Sequence, residues 1–251
     1  MFFIKLNNNT ILITGGSKGI GFEMAKKFLQ LNNKVIICGR SESALKSAKN
    51  ELKDVYTIKC DISNSNDRKE LVETIKKEFP SLNVLVNNAG IQRDVNFNSN
   101  FDDLHNLDEI SINFEAPIFL IKELLPLIKE NNNPCIINVS SQLGFFPMAK
   151  MPIYSATKAA MHSFTKSLRH QLKDSVEVIE IIPPAVDTNL NPEGRKKGNF
   201  KFDLKTPEYV EDVFEKLKEE LLEICYKDNL ENINNSTKKD IDSIFEKMNN
   251  R

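Results

Sequence analysis

Short apolar runs recur along this chain, separated by longer stretches in which apolar positions return every three or four residues. The runs at residues 10–14 (TILIT), 34–38 (KVIIC), 55–60 (VYTIKC), 83–86 (NVLV), 136–139 (IINV) and 175–182 (SVEVIEII) have the length and β-branched content of buried strands. Gly15, Gly39, Asn87 and Pro183 stop four of them. Between the runs the spacing is helical. A first helix extends to about residue 32 with Phe22, Ala25, Phe28 and Leu29 as its apolar face, and others cover 43–52, 66–79 and 104–129. Pro117 and Pro126 fall inside the fourth and predict kinks there. A fifth helix opens at Tyr154 and a sixth spans 207–222. In the Asn- and Lys-rich tail, Ile241, Ile244, Phe245 and Met248 keep an i, i+3, i+4, i+7 spacing that predicts a short docking helix.

Strands of this length alternating with helices of ten or more residues imply a parallel sheet covered on both faces. Right-handed crossovers make that sheet a doubly wound, Rossmann-type α/β fold. No internal repeat and no linker divides the chain, so it reads as one domain over 1–251, with its core over 10–190, a loop and helix over 187–225 beside it, and a tail over 226–251.

Bulk properties narrow the setting. A formal charge of -1 without a long basic block argues against nucleic acid as a partner. No apolar run approaches the ~20 residues of a membrane span, and the first ten residues lack the features of a signal peptide. Cys38, Cys60, Cys135 and Cys225 make no CxxC pair, and the first three lie in apolar runs as buried free thiols would. The expectation is a reduced, cytoplasmic protein with no membrane partner. His105, His162 and His170 show no metal-ligand spacing, so no metal is expected.

In a doubly wound sheet, ligands bind beyond the carboxyl ends of the strands. Thr14 to Gly21 (TGGSKGIG) joins the first strand to the first helix with the spacing GxxxGxG. Gly15, Gly19 and Gly21 let backbone N–H groups, with Ser17 and Ile20 between them, approach a pyrophosphate at the positive helix terminus. Arg40 follows the second strand and Lys18 sits in the glycine loop. Two cations on one phosphate favour NADPH, with NADH as the alternative. Asp61 and Ile62 end the third strand, where a carboxylate can accept from an adenine amino group or cap the next helix. Asn88, Ala89 and Gly90 give a turn where backbone can pass close to a flat ligand.

Residues 136–167 hold the proton chemistry. The strand ends in Ser140 and Ser141, and Tyr154 and Lys158 stand one helical turn apart on a shared face. A phenol of pKa ~10 is a poor base at neutral pH, and an ammonium beside it favours the phenolate. Phe145, Phe146, Met148 and Met151 are candidates for an apolar substrate wall, or for packing. Arg93 is a candidate for an anionic substrate, or for a structural ion pair.

The ordered set TGGSKGIG, CGR, CDI, NNAG, an Asn in the next helix, a Ser before YSATK, and PPAVDT resembles the short-chain dehydrogenase/reductase family over residues 10–190. NNAGIQR, SLRHQLKD, PPAVDT and the terminal FEKMN resemble its DltE-like subgroup more closely. The resemblance implies an oxidoreductase that interconverts a carbonyl and an alcohol on a small molecule. It implies Tyr154 as general acid in reduction and base in oxidation. Lys158 would tune it and hold the nicotinamide ribose, and Ser141, thirteen residues before the tyrosine, would bind the reacting oxygen. Asn113 would hold a water linking Lys158 to solvent, and Val186 and Thr188 would border the nicotinamide. Pro184 replaces the family's usual glycine. Relatives assemble through the helices that here carry Asn113 and Tyr154, so a homodimer or homotetramer is expected. A different class, a cofactor-binding redox sensor with little turnover, needs only the glycine loop and Arg40; the full set of Asn113, Ser141, Tyr154 and Lys158 favours the enzyme.

Overall fold

The first strand, β1 (Thr10–Thr14), is buried at every position, as an apolar run between two parallel neighbours must be. It pairs with β2 (Lys34–Gly39) on one side and β4 (Val84–Asn87) on the other. The structure, a computed structural model, describes residues 5–98, 108–192, 203–227, 233, 236 and 238–249. The remaining strands are β3 (Tyr56–Lys59), β5 (Cys135–Val139), β6 (Glu177–Ile182) and β7 (Glu223–Cys225). Together they make one seven-stranded sheet in the order β3-β2-β1-β4-β5-β6-β7, parallel at every pairing. The doubly wound expectation is met. Chain order reverses between β1 and β4, which opens a crevice at their carboxyl ends.

The seventh strand was not expected from the sequence. Three residues, Glu-Ile-Cys, are too few to show either periodicity. They become a strand because β6 presents an open edge, onto which Glu223, Ile224 and Cys225 align.

Eight helices are described: α1 (Gly19–Gln30), α2 (Glu42–Leu52), α3 (Ser65–Glu78), α4 (Asp108–Ile110), α5 (Ala116–Glu130), α6 (Pro152–Leu172), α7 (Thr206–Lys218) and α8 (Lys238–Asn249). Local chemistry sets several starts. The Ser41 hydroxyl accepts from the Ala44 amide at the head of α2, and Asn64 Oδ1 accepts from Asn66 and Asp67 at the head of α3. The expected long fourth helix is interrupted. Pro117 has no N–H and its ring crowds the carbonyl of Asn113, so a π-helical turn, Ser111–Glu115, joins α4 to α5, with the Ala116 amide reaching back to Ser111. Pro126 sits inside α5 without ending it. Residues 104–107 and His105 lie outside the described residues. The tail helix is present as α8, with Ile244 and Phe245 half-buried; the side chains of Ile241 and Met248 lie outside the described residues.

Alternation along the strands divides the core between two faces of the sheet. Ile11, Ile13 and Ile37 pack on one side with Phe28, Tyr209 and Phe214. Leu12, Leu85 and Ile136 pack on the other with Leu71, Ile75 and Leu124. All four cysteines are free and buried. Among the described residues no helix is long and apolar enough to cross a membrane.

Phe28 of α1 meets Phe214 of α7 edge to face, ring centroids 4.7 Å apart, and both are fully buried. Phe214→Ala should therefore cost about 3–5 kcal/mol, seen in urea unfolding as a lower midpoint with an unchanged slope.

Candidate functional site

Beyond the carboxyl ends of the strands lies a cavity of about 590 Å³. Its wall at one end is the loop between β1 and α1. Gly19 sits there at φ +58, where an added Cβ would meet Thr188 at 3.4 Å. Lys18, the residue before α1, is extended and gives no side-chain cap, so the first amides of the helix are left to face the cavity. Gly15, Ser17 and Ile20 line the same end. Gly21 does not: it is buried behind the loop, where a Cβ would fall 2.4 Å from Asn88 Nδ2. That glycine is required by packing. Asn88 reaches it while donating to the Thr14 and Gly15 carbonyls at 2.9 and 3.3 Å. The Thr14 hydroxyl accepts from the Asn88 and Ala89 amides, both at 3.0 Å, and so staples the loop after β4 to the loop after β1.

Lys18 and Arg40 are exposed at the rim, and neither forms an ion pair with the described residues. Asp61 and Ile62 also line this end. Asp61 Oδ1 accepts from the amide and hydroxyl of Ser63 at 3.0 and 2.7 Å; the cap of α3 itself is Asn64. Ala89, Gly90, Val186 and Thr188 form the middle of the wall.

At the closed end Ser141, Tyr154 and Lys158 come together. Ser141 caps a short 3₁₀ turn (Gln142–Gly144), accepting from the Leu143 amide at 3.1 Å, and it lines the same end of the cavity as Tyr154. Ser140 also reaches the wall, but its hydroxyl turns to the Ile181 carbonyl at 3.5 Å. Lys158 donates to the Val139 carbonyl at 2.8 Å and lies 5.7 Å from the centre of the Tyr154 ring. Burial governs both titrations. It pushes the Tyr154 phenol up to about 12, a rise that the Ser141 hydroxyl opposes and the charge of Glu109 increases. It pulls Lys158 down to about 8, against the charge of Glu180. The sequence argument expected the ammonium to lower the phenol; instead desolvation, with both groups only 4% exposed, raises it.

Asn113 stands one layer behind the cavity wall. Its Oδ1 accepts from the Ile91 amide at 2.9 Å, and its Nδ2 donates to the Ile91 carbonyl and Thr157 Oγ1 at 2.9 and 3.2 Å. The side chain thus ties the loop after β4 to α6. Of the four apolar candidates, Met148 and Met151 line the cavity with Leu143 and Leu190. Phe145 and Phe146 instead pack against Ile182, Cys225 and Ile233, with the Phe145 ring 4.4 Å from that of His162. Arg93 pairs with Asp108 at 3.0 Å. Gln92, Ser41 and Asn191 complete parts of the wall that were not among the expected site residues; Gln92 lies within NNAGIQR, Ser41 directly follows CGR and Asn191 lies three residues beyond PPAVDT, which is the signal that was there to use. Among the described residues no cluster of His, Cys, Asp and Glu could hold a metal ion.

A Rossmann-type sheet whose cavity joins a glycine loop to a buried serine, tyrosine and lysine defines an oxidoreductase of the short-chain dehydrogenase class. The match to the family model for short chain dehydrogenase covers residues 9–199, and the chain belongs to that family. It is 47% identical over 249 residues to the uncharacterized oxidoreductase DltE of Bacillus subtilis, 98% of each chain being covered. Among solved structures it resembles a 3-ketoacyl-(acyl-carrier-protein) reductase from Brucella melitensis complexed with NADH, at 28% identity and TM-score 0.73 over 84% of this chain and 90% of that one. A serine dehydrogenase complexed with NADP+ gives 27% identity and TM-score 0.72 over 82% and 87%.

The buried lysine has a consequence for stability. Between pH 8 and 10.5 the unfolded chain still holds the Lys158 proton that the folded protein has released, so stability rises with pH across that window. Below it the fold carries the cost of a buried ammonium. Lys158→Met should therefore be more stable than wild type at pH 7, by up to about 3 kcal/mol, and the margin should close towards pH 10.5 in urea titrations at a series of pH values.

Proposed function

We propose that the protein is an NADPH-dependent reductase that converts a small-molecule carbonyl to an alcohol and runs the reverse oxidation at the same site. The observation that carries this reading is the convergence of Ser141, Tyr154 and Lys158 on the closed end of one cavity, with Lys158 one helical turn from Tyr154. A phenol pushed up to about 12 is protonated throughout the neutral range, which suits an acid.

The cavity residues fit a dinucleotide. The uncapped start of α1 and the left-handed Gly15 and Gly19 suit a pyrophosphate. Lys18 and Arg40, two cations at the rim without carboxylate partners among the described residues, suit a ribose 2′-phosphate and favour NADPH over NADH. When bound, the nicotinamide supplies the hydride. As negative charge grows on the carbonyl oxygen, the Tyr154 hydroxyl gives it a proton and the Ser141 hydroxyl donates a hydrogen bond to it. The Lys158 ammonium stabilises the phenolate left behind and offers N–H groups to ribose hydroxyls. By resemblance to relatives, Asn113 would hold a water on the path from Lys158 to solvent. Val186 and Thr188 border the nicotinamide end. Leu143, Met148, Met151 and Leu190 support a largely apolar substrate, turned by Gln92 and Asn191.

A homodimer or homotetramer is part of this reading. Phe119 of α5 is 45% exposed and Phe164 of α6 is partly buried, on the helices through which relatives assemble.

A panel of aldehydes and ketones, followed by NADPH consumption, tests the activity. Tyr154→Phe should lower kcat by roughly 10²–10⁴-fold while NADPH still binds; retained turnover would remove Tyr154 as the acid. Arg40→Asp should weaken NADPH binding by roughly 10–100-fold and leave NADH binding nearly as it was. Equal loss for both cofactors would show that Arg40 does not read the 2′-phosphate.

A further inference from the structure

Asn87, Asn138, Glu180 and Glu223 stand in register on four neighbouring strands, β4 to β7. Residues in register share a face, so a polar row crosses the middle of a sheet that is otherwise apolar beneath α6. Such a row is costly unless its members are paired, and the pairing is incomplete. Asn87 Nδ2 donates to Asn138 Oδ1 at 2.8 Å, and Asn138 Nδ2 donates to Thr165 Oγ1 at 3.0 Å. Glu180, fully buried, holds His162 Nδ1 at 2.9 Å through Oε2. Its other oxygen, Oε1, has no hydrogen-bond partner among the described residues.

The row lies one residue below the proton-transfer site. Val139, which follows Asn138, accepts from the Lys158 ammonium through its carbonyl at 2.8 Å and pairs with Ile181, which follows Glu180. On α6, Tyr154, Lys158 and His162 succeed one another at four-residue steps and so share a face. A helix pinned at Lys158 to β5 and at His162 to β6 holds the Glu180 carboxylate beneath the turn between those two residues.

We propose that Glu180 is a positioning residue for this site: its carboxylate, tethered to His162, is the buried counter-charge that keeps Lys158 protonated. The proposal rests on the reading of Lys158 as an ammonium in the reductase site. The surrounding groups leave Glu180 in that role. Arg169 pairs with Glu223 at 2.8 Å and donates to the Val178 and Leu222 carbonyls. The Cys225 thiol, pushed up to about 12 chiefly by burial, stays neutral. Glu177, at the start of β6, faces Arg169. Glu109 acts on Tyr154, and Lys166 acts on His162. Glu180 is the named charge that opposes the desolvation of Lys158, and its hydrogen bond raises His162.

A purely structural tie between α6 and β6 predicts that removing Glu180 costs stability and leaves Lys158 titrating as before. The two roles separate in a direct titration of the full chain carrying ¹³C-labelled lysine, with the Lys158 signal identified by its absence from Lys158→Met. In Glu180→Gln the Lys158 midpoint should fall by about one pH unit or more, and His162 should titrate lower as well. Glu180→Asp, which keeps the charge, should restore most of the shift. A folded Glu180→Gln with an unmoved Lys158 midpoint overturns the proposal. If Glu180→Gln does not fold, Glu180→Met, an apolar side chain of similar size, decides: the Lys158 midpoint should again fall, and an unmoved midpoint is equally fatal. None of these readouts needs a substrate. Failure of every carbonyl in the panel would count against the reductase reading and leave the Glu180 result standing. Where turnover is found, the alkaline limb of kcat/KM should move with the Lys158 midpoint.

Discussion

Burial of the Lys158 ammonium is the constraint on which the working end of this fold depends. A charge taken out of water is tolerated only where protein dipoles and counter-charges replace the solvent. Here the replacements come from the sheet itself. The Val139 carbonyl, at the end of β5, takes one N–H, and a fully buried carboxylate on β6 acts from below. The same low-dielectric pocket keeps the Tyr154 phenol protonated. One desolvated pocket therefore destabilises a charged lysine and preserves a neutral acid, a pairing of opposite demands that suits proton donation next to a hydride acceptor.

The supports of that pocket converge from separate segments. Thr14 and Asn88 lock the loops after β1 and β4 together. Asn113 links the latter loop to Thr157 on α6, one residue before Lys158. Asn113 can face that way because Pro117 forces the π-helical turn that carries it. Gly144 closes the set: a Cβ there would fall 2.8 Å from the Lys158 carbonyl carbon, so the turn after Ser141 can rest directly on the α6 backbone. Small and conformationally special residues thus fix the distances among Ser141, Tyr154 and Lys158, while the apolar layers fix where the sheet stops.

Much of this was legible in the chain. Six of the strands, the doubly wound order and the glycine loop follow from run length and turn residues, which are local properties. The meeting of Ser141, Tyr154 and Lys158 was foreseeable because two of them are one helical turn apart and the third ends a strand. The remainder depended on neighbours far along the chain. β7 is too short to announce itself and exists because β6 has a free edge. Phe145 and Phe146 were indistinguishable from Met148 and Met151 as an apolar wall, until the edge cluster with Ile182 and Cys225 drew the phenylalanines away from the cavity. His162 read as an ordinary helix residue, since its partner, Glu180, is eighteen residues on and hidden in an apolar-looking strand.

The sequence by itself determined the class of fold, the family and the side chains available for chemistry, because periodicity, turn residues and motif spacing are written within short windows. Only the tertiary structure decided their electrostatics. Whether the ammonium or desolvation controls the tyrosine depends on how completely the two layers of helices exclude water. The charge that answers Lys158 comes from a strand brought beside it by parallel pairing, an adjacency that no local pattern encodes.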